Sequence, residues 1–171
     1  MSPLKTNKNY LYKRGITDPW KIYPPPNKKF NQAIIIPSYG ESDYLPQTLS
    51  SLMKNDPAIL QDTLVIVVVN HAEDADEFFK NDNEKTLRFL SITDYLFTLG
   101  IVDAATQGVE LPSKQAGVGL ARKIGMDLAL PYLTGKRSLL FSTDADTIVD
   151  SQYLKIVLDY FKQYNADAAV V

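Results

Sequence analysis

Six consecutive residues, Leu64-Val65-Ile66-Val67-Val68-Val69, carry no polar side chain, and all but the first are β-branched. Branching at Cβ restricts χ1 and favours the extended chain. Successive side chains of a strand point to opposite faces, so a run that is apolar at both parities leaves no face for water. Such a strand belongs inside a sheet covered on both sides, the situation of parallel α/β sheets.

The remaining pattern supplies partners for it. Ala33-Ile34-Ile35-Ile36, stopped by Pro37, predicts a first buried strand. Leu45, Leu49, Leu52 and Met53 then recur at helical spacing. After the 64–69 strand come an acidic loop, a helix through Phe78-Phe79 and another around Leu87, Leu90 and Tyr95. Leu99-Gly100-Ile101-Val102 is a third strand weakened by its glycine. Ala116 to Leu130 predicts a helix with Leu120, Ile124 and Leu128 inward, and Ser138 to Ser142 a fourth strand. Ser151 is expected to cap a helix striped by Leu154, Val157, Leu158 and Phe161, and Ala168 to Val171 to start a fifth strand. Residues 1–32, rich in Lys, Tyr, Pro and Asn without sustained period, read as an N-terminal arm that Trp20, Ile22 and Tyr23 could dock. Residues 33–171 form the regular domain: a mostly parallel α/β sheet flanked by helices on both faces.

Composition narrows the function classes. A chain of 171 residues, 45% hydrophobic, can bury one real core. Its net charge of −2 argues against a nucleic-acid partner. With no cysteine it has neither disulfides nor a thiolate nucleophile, and no stretch approaches the roughly 18 apolar residues of a membrane span. The expected location is the cytoplasm.

Ligands of such sheets bind beyond the carboxyl ends of the strands. There Asp144-Ala145-Asp146 follows the fourth strand, and on an extended chain residues i and i+2 would turn both carboxylates toward one hard cation, Mg²⁺ or Mn²⁺. The plainer alternative is a solvated turn that caps the next helix. Gly117 and Gly119 open the Ala116 helix, where backbone amides and the helix dipole can meet an anion, with Lys114, Arg122 and Lys123 close by. This is neither a dinucleotide fingerprint nor a P-loop.

Three blocks, in order, resemble the nucleotide-binding part of family 2 glycosyltransferases, whose Rossmann-like fold is called GT-A. They are Ile34-Ile35-Ile36-Pro37-Ser38-Tyr39-Gly40-Glu41 with Leu45 and Leu49, then Gly117-Val118-Gly119-Leu120-Ala121-Arg122, then Leu140-Phe141-Ser142-Thr143-Asp144-Ala145-Asp146. The resemblance covers about Ala33 to the last residue. It implies a divalent-metal-dependent transferase of the hexosyl type that moves a sugar from a UDP- or GDP-sugar to a hydroxyl acceptor. It also implies that Pro37, Ser38, Tyr39 and Glu41 border the nucleoside, and that Arg122, Lys114 and Gly119 lie near the base or diphosphate. By the same pattern Asp144 approaches ribose and metal, and Asp146 ligates the metal.

The chain departs from the family at two places in the site and at its end. Asn70-His71 stands after the second strand where an aspartate commonly holds the base. Asn70 could substitute, since an amide both donates and accepts, which leaves the base open. His71 reads as a polar loop residue rather than a metal ligand. Lys123 stands where many members have Asn. In the family the acceptor region and the general base of inverting members lie further past the Asp-x-Asp than this chain extends. The expectation is therefore a donor-binding half truncated at its C-terminus, with the base beyond residue 171 and a C-terminal edge strand that would favour self-association. A non-catalytic nucleotide-sugar-binding scaffold is the alternative; a sugar nucleotidyltransferase is disfavoured, as no glycine-rich basic loop follows the first strand.

Overall fold

The computed structural model describes residues 3–16, 18–135 and 137–170. Four parallel strands form the sheet in the order β3-β2-β1-β4: β1 is Gln32–Ser38, β2 Thr63–Asn70, β3 Thr98–Ala104 and β4 Leu139–Ser142. The two central strands are buried at every residue. β4 is mostly open, because only β1 pairs with it.

Strand alternation divides the core into two layers. Ile34, Ile36, Val65, Val67 and Val69 point to one face, where they meet α2 (Leu45–Leu52), α3 (Pro57–Gln61), α4 (Glu77–Ile92) and α6 (Tyr153–Tyr164). Ala33, Ile35, Leu64, Ile66 and Val68 point to the other, against α5 (Val118–Ala129) and the N-terminal arm. Each fully buried Ile, Leu or Val contributes about 1.5–3 kcal/mol over an exposed one, so these layers dominate stability. Gly125 sets the spacing of the second layer: a Cβ there would lie 2.7 Å from Ile35 Cγ2, so α5 sits directly on β1.

The arm is more ordered than its composition suggests. Pro3–Arg14 forms a helix, α1, which the aperiodic sequence does not predict. Asp127 on α5 holds it, accepting from Tyr10 Oη at 3.0 Å and Ile16 N at 2.8 Å. Trp20 and Ile22 are buried as expected, whereas Tyr23 stays exposed and pairs with Ile101 through its backbone. Gly100, the apparent weakness of the third strand, makes room for this docking, since a Cβ there would stand 2.5 Å from Ile22 Cγ2.

The C-terminal expectation is corrected. α6 ends where Asn165 turns left-handed (φ 48), a conformation asparagine tolerates, and residues 166–170 form no strand. Without a ladder partner so short an apolar segment has nothing to hold it extended, and Val170 is fully exposed. Val171 lies outside the described residues. Nor does Ser151 cap α6: Gln152 occupies the cap position without a side-chain bond, and Asp150 accepts from Gln152 N at 2.7 Å. The two helices expected between β2 and β3 are one, α4, because its apolar stripe continues through Leu87 and Leu90; Tyr95 lies in the loop beyond.

Candidate functional site

A cleft of about 870 Å³ opens at the carboxyl ends of the strands. Its wall is built from Pro37, Ser38, Tyr39 and Glu41 after β1, Asn70 and His71 after β2, Gly117, Val118 and Arg122 at the start of α5, and Asp144 and Asp146 after β4. Of the residues the sequence nominated, Lys114 and Gly119 stand outside it: Lys114 is exposed in the turn before α5, and Gly119 faces solvent in its first turn.

The β1 loop is held by α4. Gly40 has φ +67, and a Cβ on it would meet Phe79 Cδ1 at 2.5 Å, so both backbone and packing require glycine. The Phe79 ring lies flat on Tyr39, centroids 4.5 Å apart, and fixes that aromatic at the rim. Asn83 was not evident from the sequence, where its one signal is a polar residue on the buried stripe of α4. Fully buried, it accepts from Gly40 N at 3.0 Å and donates to Asn70 O at 2.9 Å and to His71 Nδ1 at 3.0 Å. With the amide oriented by Gly40 and Asn70, Nδ1 of His71 is the acceptor and the ring proton sits on Nε2. Burial lowers the His71 pKa, which keeps the ring neutral. The histidine is thus a fixed wall residue, not a loose loop residue.

Asn70 donates both amide protons inward, to Ser38 O at 3.0 Å and Val68 O at 3.1 Å. Only its Oδ1 remains for a ligand, so a group read by this amide must donate.

The charged side of the cleft is unbalanced. Arg122 Nη2 pairs with Asp144 Oδ1. Asp146 makes no side-chain hydrogen bond or ion pair among the described residues. Burial raises the Glu41 pKa, and the nearby Asp146, Asp144 and Asp82 raise it further against the lowering effect of its bond from Tyr39 N. Five carboxylates, Glu41, Asp74, Asp76, Asp144 and Asp146, therefore line a common space with one guanidinium among them. Two buried polar atoms on this wall, Ser38 Oγ and Arg122 Nε, lack any partner. Such atoms are rare in native proteins, and here they are open to a bond from a ligand or water in the cleft. Gly117, at φ 147, begins α5 without a side-chain cap, leaving its first amides available to an anion.

The carboxylate pair is not on extended chain as expected. β4 ends at Ser142, and residues 145–146 form a turn; Asp144 and Asp146 are exposed on either side of a fully buried Ala145. They reach the same cleft by the turn rather than by strand alternation. No cluster of three or more His, Cys, Asp or Glu able to hold a metal occurs among the described residues. The pair could supply two ligands to a hard cation, with other oxygens needed to complete the shell.

No family model matches the chain, and no curated protein matches it in sequence. Solved structures share its fold. The 1–349 portion of S. aureus TarS superimposes on 80% of the chain with TM-score 0.54 and 21% identity, the chain covering 33% of that structure. The same portion in complex with UDP-GlcNAc gives TM-score 0.51 at 18% identity over 80% of the chain and 32% of the structure. A crystal structure of S. aureus TarS gives 0.55 at 19% identity over 82% of the chain and 23% of that structure. The chain thus spans a third or less of each. At these identities the likeness is one of fold, and the expected α/β fold with a parallel sheet flanked by helices is the one found, that of Rossmann-like glycosyltransferase structures. No helix among the described residues is long and apolar enough to cross a membrane.

Proposed function

We propose that this chain carries the donor site of a glycosyltransferase: it binds a nucleoside diphosphate sugar with Mn²⁺ or Mg²⁺ and belongs to an enzyme that passes the sugar to a hydroxyl acceptor. The observation that carries the reading is the meeting, in one cleft, of the Pro37–Glu41 loop, Asn70, Arg122, Asp144 and Asp146 with two unpartnered buried donors. The resemblance of the same blocks to family 2 glycosyltransferases supports it, as does the fold shared with TarS, which has been crystallised with UDP-GlcNAc.

In this reading the nucleobase lies against Tyr39, whose ring is backed by Phe79, and donates to Asn70 Oδ1. His71 Nε2–H, held neutral, offers a donor beside that acceptor, a combination suited to an imide edge such as that of uracil, or to the edge of guanine. Arg122, freed from Asp144, turns its guanidinium to the diphosphate, and the open amides at Gly117 and Val118 face the same anion. Asp144 and Asp146 would hold the divalent metal, the donor set fitting it because the surrounding carboxylate charge is otherwise uncompensated. When bound, the metal neutralises charge on the departing diphosphate. Acceptor binding and the base that takes its proton are assigned to elements other than these.

Calorimetric titration with UDP and with GDP, each with and without Mn²⁺, tests the reading. Metal-dependent binding of one of them is expected. A folded chain that binds neither in the presence of Mn²⁺ contradicts it.

A further inference from the structure

The loop that carries Asp144 and Asp146 runs from the end of β4 to the start of α6 with no regular structure beyond turns at 145–146 and 151–152. Its anchors are Thr48 and Ser51 on one face of α2 and Asn55 in the turn that follows it. Thr48, Ser51 and Asn55, spaced three and four residues apart, are 0%, 3% and 2% exposed. Polar side chains do not stay buried on a helix that already presents Leu45, Leu49 and Leu52 to the core unless each finds a partner. Here the partners are backbone groups of the loop. Thr48 Oγ1 donates to the carbonyl of Ala145 at 2.6 Å; Ser51 Oγ accepts from Val149 N at 3.1 Å; Asn55 accepts from Leu154 N at 2.9 Å and donates to Asp150 O at 3.3 Å.

The first of these bonds has a special place. The Ala145 carbonyl belongs to the peptide plane that joins Ala145 to Asp146, so fixing it constrains the direction in which Asp146 leaves the turn. The Ala145 methyl is buried in the core on the same side, and the two contacts together prevent the turn from rotating. α2 also holds the backbone of Glu41, another carboxylate of the cleft, because Glu41 O accepts from Tyr44 N and Leu45 N at its first turn. One rigid helix thereby sets the spacing of Glu41 against Asp144 and Asp146.

We infer that Thr48 is a positioning residue, which through the Ala145 carbonyl sets the carboxylate pair in the geometry that binds a divalent cation together with a nucleoside diphosphate. The inference rests on the donor-site reading above. The hydroxyl does not touch a ligand; it removes the freedom of the turn in advance, so that metal binding does not have to bear the cost of ordering it.

The test measures Mn²⁺-dependent binding of UDP or GDP, whichever the wild-type chain takes, alongside thermal stability. Thr48→Val keeps the shape and loses the donor; Thr48→Ser keeps the donor. Thr48→Val should weaken Mn²⁺-dependent affinity roughly tenfold, the low end of what loss of an outer-shell partner costs. Thr48→Ser should return it to within about twofold, as expected when the bond is restored. Leu90→Ala, in the last turn of α4 and away from Phe79 and Asn83, controls for lost stability and should lower Tm while leaving affinity within about twofold. Ser51→Ala removes the neighbouring anchor and should give a smaller loss, about threefold, which keeps the inference testable if Thr48→Val does not fold. Undiminished affinity in Thr48→Val, or in Ser51→Ala where the first is unfolded, overturns the positioning role and leaves the donor site standing. A folded wild-type chain that binds no nucleotide with Mn²⁺ overturns both.

Discussion

The two ends of the sheet are finished differently. At the amino end Gln32 Nε2 donates to Thr63 Oγ1 at 2.8 Å and Ile59 O at 3.1 Å, and Thr63 Oγ1 donates to Ile59 O at 2.7 Å, while Tyr95 Oη, just before β3, is buried without a partner. Asn31 ties Asp62 to Thr134 across the same end, and the backbones of Phe30, Tyr132 and Thr134 close it. At the carboxyl end Ser38 Oγ and Arg122 Nε are buried with no partner, Asp146 is free of side-chain bonds among the described residues, and Glu41 is pushed toward protonation. At the amino end the unpartnered hydroxyl stands alone, and at the carboxyl end two unpartnered atoms share a cleft with open carboxylates. That gathering, rather than the fold, argues for a ligand at the carboxyl end, because unsatisfied buried groups cost stability that a ligand's hydrogen bonds return.

The largest effect should come from the carboxylate that the fold does not use. Asp146→Ala should abolish Mn²⁺-dependent nucleotide affinity by about a hundredfold or more, the upper range for disturbing a metal's partners, while stability stays within about 0.5 kcal/mol. Loss of several kcal/mol in denaturant titration would show instead that the loop carboxylate is structural.

Two hydroxyl deletions sharpen the contrast between the ends. Thr63→Val at the amino end removes one of the two acceptors of the buried Gln32 amide and the hydroxyl bond to Ile59 O, and should cost about 1–3 kcal/mol in urea titration with no change in nucleotide affinity. Ser38→Ala at the carboxyl end removes a hydroxyl that has no partner. It should leave stability unchanged or raised, and weaken nucleotide binding by about five- to tenfold, one hydrogen bond's worth. If both variants lose stability alike, the ends do not differ as described.

Arg122→Gln should lower nucleotide affinity by about tenfold through the lost guanidinium–phosphate bond. It should scarcely change stability, because the Arg122–Asp144 pair is partly exposed to solvent and such pairs are worth about 0–1 kcal/mol. The smallest effect belongs to pH. The folded-state pKa of His71 is lowered, so the unfolded chain binds the proton more readily. The histidine's contribution to stability is therefore present above its ordinary pKa of about 6.5 and is lost as pH falls from there through the folded value. His71→Gln should flatten Tm against pH in that window. Asn83→Asp, which replaces the donor facing Nδ1 with a carboxylate, should raise the His71 pKa as followed by NMR.

Much of this architecture was legible because burial dictates it. An apolar run at both parities, as in Leu64–Val69, has one place to go, and the carboxyl edge then follows from parallel topology. The loops that carry Asp144, Asp146 and Tyr39, and the start of α5 that carries Arg122, were found for that reason. What was not legible depends on pairwise contacts with no local signature. α1 exists because Asp127 and α5 receive it, and Gly100 is small because Ile22 packs there. Asn83 and Thr48 look like ordinary helix polar residues until the backbone groups they satisfy are known. The expected fifth strand failed for the converse reason: local propensity at residues 168–170 does not suffice without a ladder, and the segment pairs with no strand although the outer edge of β4 is open.

The central claim is that ligand and metal meet at the carboxyl end. It is tested most directly by recording the amide NMR spectrum of the ¹⁵N-labelled chain while Mn²⁺ is added in the presence of UDP, with GDP in its place if that is the nucleotide bound. The account predicts paramagnetic broadening of amides in residues 38–41, 70–71, 117–122 and 143–147, with those around Phe30, Thr63 and Thr134 left sharp. Broadening centred on the amino end, or a pattern indifferent to the nucleotide, would contradict it.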